Sequence, residues 1–245
     1  MDYDIQQDRF YSPRLVLNFF ARLRKIYGLV NIYEPEFRRA REMLSAAISL
    51  LGAYELNSFN QSWLQSNNQT SSPDVIAIQL MEAPNKYVTA LISQIEVVDM
   101  EEHFKGEDIF EFLMKTKLSP KKAYDEHIII VVHLVKNMKF NILEIAEKLK
   151  EVKPKSTIYF IGKVGAGASD KFMICSPYPR VTKIINFGLI ETMKKYQIKE
   201  NVKFSKGSNK EILMIKEEKI ILKPADMFAF DEKKVEKYKI AKSQA

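Results

Sequence analysis

The segment Ile128–Leu134 reads IIIVVHL, an almost unbroken run of β-branched residues. A strand with one wet face alternates apolar and polar side chains. A run that is apolar at both parities needs cover on both faces, as in the middle of a parallel or mixed sheet. A second short apolar run, TIYFIG over Thr157–Gly162, follows a stretch of helical spacing from Ile142 to Lys150. Strand, helix, strand in this order predicts an α/β chain with a mixed central sheet flanked by helices. Upstream, Asp74 opens the apolar run VIAIQLM, and after Ala83-Pro84-Asn85-Lys86 the chain continues as YVTALISQIEVV. Two such runs around a short turn predict a hairpin. Between hairpin and central run, GEDIFEFLMKTK (106–117) predicts a helix with acids early and lysines late, as the helix dipole favours.

Two helices are predicted before the hairpin. The first runs from Ser12 as cap and Pro13 in the first turn to Tyr27, with Leu15, Phe19, Leu23 and Ile26 as its stripe. The second runs from about Pro35 to Tyr54. The polar stretch Asn57–Ser72 reads as a loop with an apolar anchor at Trp63-Leu64. Beyond Gly162 the pattern loosens into a short strand over Phe172–Ser176 and a helix over Ile184–Lys195. Two short strands within Glu211–Leu222 and a lysine-rich tail from Asp231 follow. The expected organisation is an N-terminal helical segment (1–34), an α/β core (35–163) and a small basic α+β extension (164–245).

Charge narrows the partners. The 245 residues carry a formal charge of +7, and the chain from Lys194 onward holds 14 lysines against 8 acids, while seven of the eight arginines precede residue 42. Basic ends suit an anionic partner, nucleic acid first, although solvated lysine-rich helix faces give the same count. A lone Cys175 excludes a disulfide framework or a cysteine zinc cluster. No apolar run reaches the roughly 20 residues of a membrane span, and MDYDIQQDRF is too polar for a secretory signal. The expectation is a cytoplasmic protein without membrane contact.

The residues that could carry chemistry stand on the hairpin. Pro73-Asp74 lies at the entry of one strand, and Gln94-Ile95-Glu96-Val97-Val98 closes the next. The helix 106–117, the segment LSPKKAYDEHIIIVV and the strand 128–134 come after them. In this order the stretch from Pro35 to Gly162 resembles the core of the PD-(D/E)xK nuclease superfamily, the restriction-endonuclease-like fold. The resemblance implies a Mg²⁺-dependent endonuclease (Mn²⁺ as substitute) acting on DNA, most naturally duplex DNA, in restriction or defence against mobile elements. It implies Asp74 and Glu96 as metal-binding carboxylates, the Val97 carbonyl as third ligand, and Glu42 on the preceding helix as an additional acid. Hard oxygens are what Mg²⁺ requires, and the ion polarises the phosphate and acidifies a water.

The pattern departs from the family at Val98, where the motif lysine is expected. Lys115, Lys117 or Lys122, on or just after the next helix, could supply the missing cation and complete a catalytic set with Asp74 and Glu96. Otherwise the site is degenerate and the chain serves as a nucleic-acid-binding or protein-interaction subunit, alone, as a homodimer or in a larger assembly. Each residue also has an ordinary reading. Asp74 can be a turn residue, Glu96 can pair with a lysine, Glu42 can be helix surface, and Gln94 a satisfied sheet amide.

Other signals are weaker. Gly165-Ala166-Gly167-Ala168-Ser169 lacks the Gly-Lys-Ser/Thr of a phosphate loop and reads as a connection. His103, His127 and His133 are not spaced as ligands. His133 reads as a core imidazole, and His103 as a distant catalytic candidate. Cys175 has no setting of a nucleophile, and Tyr178 between two prolines is a stacking platform or a stiff loop.

Overall fold

Ile128–Leu134 lies inside a ten-stranded sheet, with a strand hydrogen-bonded on either side. The computed structural model describes residues 9–56, 61–67, 72–82, 88–100, 108–119, 128–135, 139–165, 170–198, 201–206, 212–215 and 223–240. The first half contains β1 (Arg9–Tyr11), α1 (Pro13–Tyr27), α2 (Arg38–Leu56), β2 (Ser62–Ser66), β3 (Val75–Glu82), β4 (Val88–Met100) and α3 (Ile109–Thr116). Next come β5 (Ile128–Leu134), α4 (Ile142–Val152), β6 (Thr157–Lys163), β7 (Lys171–Tyr178), β8 (Ile185–Gly188) and α5 (Leu189–Lys195). The described chain ends with β9 (Asn201–Lys206), β10 (Ile212–Ile215), α6 (Pro224–Phe228) and α7 (Glu232–Val235). The strand order is β10-β9-β1-β2-β3-β4-β5-β6-β7-β8. Among the described strands β4–β5 and β5–β6 pair in parallel and the other neighbours are antiparallel. This is a mixed α/β sheet, and strands from all three sequence segments belong to it.

Helices cover both faces. On one face Ile95, Val97, Val131 and Ile161 pack with α1 and α2 through Leu23, Met43, Ala47 and Leu51. On the other face Met100, Ile130, Val132 and Phe160 pack with α3 and α4 through Phe112, Leu113, Ile145 and Leu149. The double burial of the β5 run therefore has its cause in a helical layer on each side. Local chemistry fixes the helix starts. Leu15 N–H donates to Ser12 Oγ (3.1 Å), Phe110 N–H to Asp108 Oδ1 (3.1 Å) and Leu143 N–H to Asn141 Oδ1 (3.1 Å).

Two sequence expectations fail. The stretch read as a loop after α2 contains β2, whose five residues, SWLQS, are all buried between β1 and β3. Backbone pairing to β3, and Ser62 N–H donating to Tyr54 Oη (2.8 Å), satisfy main-chain groups of the strand, which a composition-based reading as loop would leave to water. The helix expected over Ile184–Lys195 begins as strand β8 and becomes helical only at Leu189. Antiparallel pairing of Ile185–Gly188 with Lys171–Ile174 overrides the helical spacing there.

Candidate active site at the free end of strand β4

β4 has 13 residues and β3 has 8, and their pairing ends at Val75 opposite Ile95. Among the described residues, β4 is paired from Glu96 to Met100 through β5 alone. Asp74 sits where β3 stops. Its N–H donates to the Ile95 carbonyl (3.1 Å), and its Oδ2 accepts the N–H of Val97 (2.9 Å). Asn67 holds the approach: its N–H donates to the Asp74 carbonyl (3.1 Å) and its Nδ2 to the Pro73 carbonyl (2.7 Å). A strand residue's N–H and C=O point to the same side, so the Val97 carbonyl faces the same open edge as the N–H held by Asp74.

Period-two alternation sends Glu96 to the α3 side of the sheet. There it is buried, 4% exposed, and its Oε2 accepts Lys117 Nζ at 2.6 Å, while Ser72 Oγ donates to Oε1. Lys117 caps the C-terminus of α3, with its N–H on the Leu113 carbonyl (2.9 Å), and burial of Phe112 and Leu113 fixes the helix that carries it. The same ammonium is 3.6 Å from Asp74 Oδ2. One cation within reach of both carboxylates places them well inside the ~10 Å that a shared metal site would tolerate.

The line continues around the strand edge to the α2 face. Arg38 donates from Nε to Glu42 Oε1 (2.5 Å) and lies with an Nη 3.5 Å from Asp74 Oδ1. Glu42 is buried, and burial first, then the Asp74 charge, pushes its carboxyl up to about 7 even though Arg38 and Lys117 pull the other way. Among the described residues three carboxylates thus meet two cations. Asp74, Glu96 and the Val97 carbonyl offer hard oxygens that fit Mg²⁺ or Mn²⁺, although among the described residues no three His, Cys, Asp or Glu side chains form a ready cage.

Of the two candidate lysines among the described residues, Lys117 is the one brought to the acids. Lys115 lies on the exposed side of α3, and Lys122 lies outside the described residues. His103, His127 and residues 166–169 also lie outside them. Arg38 and Ser72 were missed. Arg38 had a signal, since it stands four residues before Glu42 on one helix, the spacing that brings side chains together. Ser72 had none.

A second polar cluster lies one step along β4, on the α2 face. Asp99 pairs in register with His133 of β5. His133 Nδ1 is 3.0 Å from Ser45 Oγ and 3.3 Å from Asp99 Oδ1. Arg41 approaches Asp99 Oδ2 at 3.9 Å and donates from Nη1 to the carbonyls of Ile32 (2.8 Å) and Glu34 (2.9 Å). Serine and aspartate crowd the same imidazole nitrogen, whereas a Ser-His-Asp relay needs one at each nitrogen. His133 is half-buried and engaged rather than sealed in the core. Cys175 is fully buried, and burial pushes its thiol up to about 12.

The lysine-rich C-terminal segment docks beside the start of α2: Tyr238 Oη donates to Glu36 Oε1 (3.2 Å), Asn31 Nδ2 to the Tyr238 carbonyl (3.0 Å), and Lys237 Nζ lies 3.4 Å from Glu36. No described helix is long and apolar enough to cross a membrane. No protein-family model, curated protein or solved structure matches the chain.

Proposed function

We propose that the chain is a divalent-metal-dependent phosphodiester hydrolase of PD-(D/E)xK type acting on nucleic acid, with the motif lysine supplied by Lys117 from α3. The observation that carries this reading is the position of Lys117 Nζ, 2.6 Å from Glu96 and 3.6 Å from Asp74. A lysine two residues beyond Glu96 would project from the same strand face. A lysine at the end of the helix packed on that face reaches the same carboxylates from above. The basic surplus of the chain supports an anionic polymer as substrate.

Asp74, Glu96 and the Val97 carbonyl would hold the ion. Mg²⁺ or Mn²⁺, when bound, supplies phosphate polarisation and a more acidic water. Asp74 is oriented for this by the Val97 N–H, which fixes one oxygen and leaves the other toward Arg38. Lys117, beside both carboxylates, would orient the attacking water and offset charge growing on the phosphate. Ser72 steadies the other Glu96 oxygen.

The competing reading, a degenerate nuclease fold that only binds, draws on the same ion pairs: Lys117 and Arg38 already neutralise two of the three acids. Cleavage of plasmid, linear duplex, single-stranded DNA and RNA with Mg²⁺ or Mn²⁺ decides between them. Asp74→Ala and Glu96→Ala should each abolish cleavage while circular dichroism stays native. Absence of cleavage of every substrate by the wild type would overturn the hydrolase reading.

A further inference from the structure

Lys117 and Arg38 flank the same carboxylates but differ in exposure. The Lys117 side chain is 10% exposed and its ammonium faces two acids; the Arg38 side chain is 67% exposed. Two contacts hold the guanidinium. Nε is tied to Glu42, and one Nη reaches toward Asp74, so the plane of the group is set while its outer edge faces solvent. Among the described residues Nη1 has no hydrogen-bond partner. The pair is exposed on the arginine side alone, so solvent screens part of what it contributes to stability. What the arrangement provides is a planar donor fork held in place beside an acidic site, the geometry that suits a phosphate bound through two oxygens. An anion approaching three carboxylates needs such a group, because among the described residues the acids outnumber the cations around them.

Resting on the phosphodiesterase reading of this site, we infer that Arg38 grips a phosphate of the substrate backbone from the α2 side of β4, as a binding residue for nucleic acid. Glu42 is its positioning residue. The guanidinium stays in place over Asp74 because a buried carboxylate holds Nε, and its free N–H groups meet the phosphate.

The inference is tested apart from cleavage, by anisotropy of fluorescein-labelled duplex and single-stranded DNA oligonucleotides bound to the full chain in EDTA across a salt series. Arg38→Gln should weaken binding about tenfold and lower the slope of log affinity against log salt by ~0.7–0.9, the loss of one phosphate contact. Arg38→Lys should keep the slope and lose part of the affinity, because charge remains and the fork does not. Melting curves accompany both variants; Arg38→Lys should stay near native, and Arg38→Gln should keep a cooperative transition with a lowered midpoint, since buried Glu42 loses its cation. If Arg38→Gln binds both oligonucleotides like the wild type, with an unchanged slope, Arg38 is only a counter-ion for Glu42 and Asp74. Failure of the wild type to bind either oligonucleotide at low salt would also overturn the inference. A chain that binds through Arg38 but cleaves nothing would sink the hydrolase reading and leave this one standing. Cleavage with Arg38-independent binding would do the reverse.

Discussion

Two polar clusters lie along the same end of β4, and they solve the problem of buried charge differently. Around Asp99 one carboxylate faces one imidazole and one guanidinium; Arg41 Nη1 donates to two backbone carbonyls, while Arg41 Nε and Asp99 Oδ1 have no hydrogen-bond partner among the described residues. Around Asp74 three carboxylates share two cations, and one acid, Glu42, is driven to about 7. Among the described residues the first is matched in charge, and the second carries an excess of acid that the fold retains at a cost. Buried like charges are expensive, and an arrangement that keeps them together has its reason outside stability. That contrast, more than the presence of polar groups, separates the candidate site from its neighbour.

The largest expected effect breaks the comparison at its centre. If the proposed hydrolase activity is present, Lys117→Ala should lower kcat by about 10²–10⁴-fold, the range for loss of a group that stabilises transition-state charge or handles a proton. The same change leaves Glu96 without its cation and should cost about 3–5 kcal/mol of stability, read by urea unfolding. Lys117→Arg keeps the charge and distinguishes lost chemistry from lost folding. Activity that survives Lys117→Ala would mean the cation comes from elsewhere.

The next effect concerns acid excess. Glu42 titrates near 7 in the folded chain against an ordinary 4.5, so between these values the native state holds a proton that the unfolded state has released. Stability therefore falls as pH rises from about 4.5 to 7, and Glu42→Gln, which cannot ionise, should remove that slope. At pH 8 the variant should be more stable than the wild type by about 1–3 kcal/mol, and at pH 4 the two should agree. Equal unfolding midpoints at pH 8 would mean the acid excess is already relieved.

In the matched cluster the signs reverse. Asp99→Asn should destabilise at pH 7 by about 1 kcal/mol, the scale of one partly exposed charged contact, and leave kcat unchanged. A large drop in kcat would merge the two clusters into one site. The smallest effect lies far from both: Cys175, buried with its thiol pushed up to about 12, should resist iodoacetamide at pH 8 until the chain unfolds.

Much of the centre was legible because burial writes itself into sequence. The β5 run, the β3–β4 hairpin and the α4–β6 pair follow from periodicity and hold as expected. Glu96 stands out as an acid on an apolar strand, whereas Asp74, just ahead of its strand, is singled out only by the resemblance of the Pro-Asp entry. Lys117 could only be shortlisted, because 21 residues of chain separate it from Glu96 and the packing of α3, not spacing, brings it back. β2 escaped notice because SWLQS is as polar as a loop. Its burial comes from ladder partners on both sides, which local composition does not encode. The strand at Ile185–Gly188 was hidden by apolar spacing that continues into α5.

The overrun of β4 past β3 has one more consequence. A strand paired on one side only exposes a ladder of donors and acceptors that a foreign strand can adopt, and proteins usually guard such edges with charge. Here the first donor beyond the last β3 pair, the Val97 N–H, is occupied by Asp74. The carboxylate acts as a stopper at an internal seam of the sheet. Removing it does two things at once: it deletes a ligand, and it leaves a short length of β4 able to recruit another chain. Asp74→Asn keeps an oxygen for that donor where Asp74→Ala keeps none, so self-association on storage should distinguish the two variants even where both are inactive.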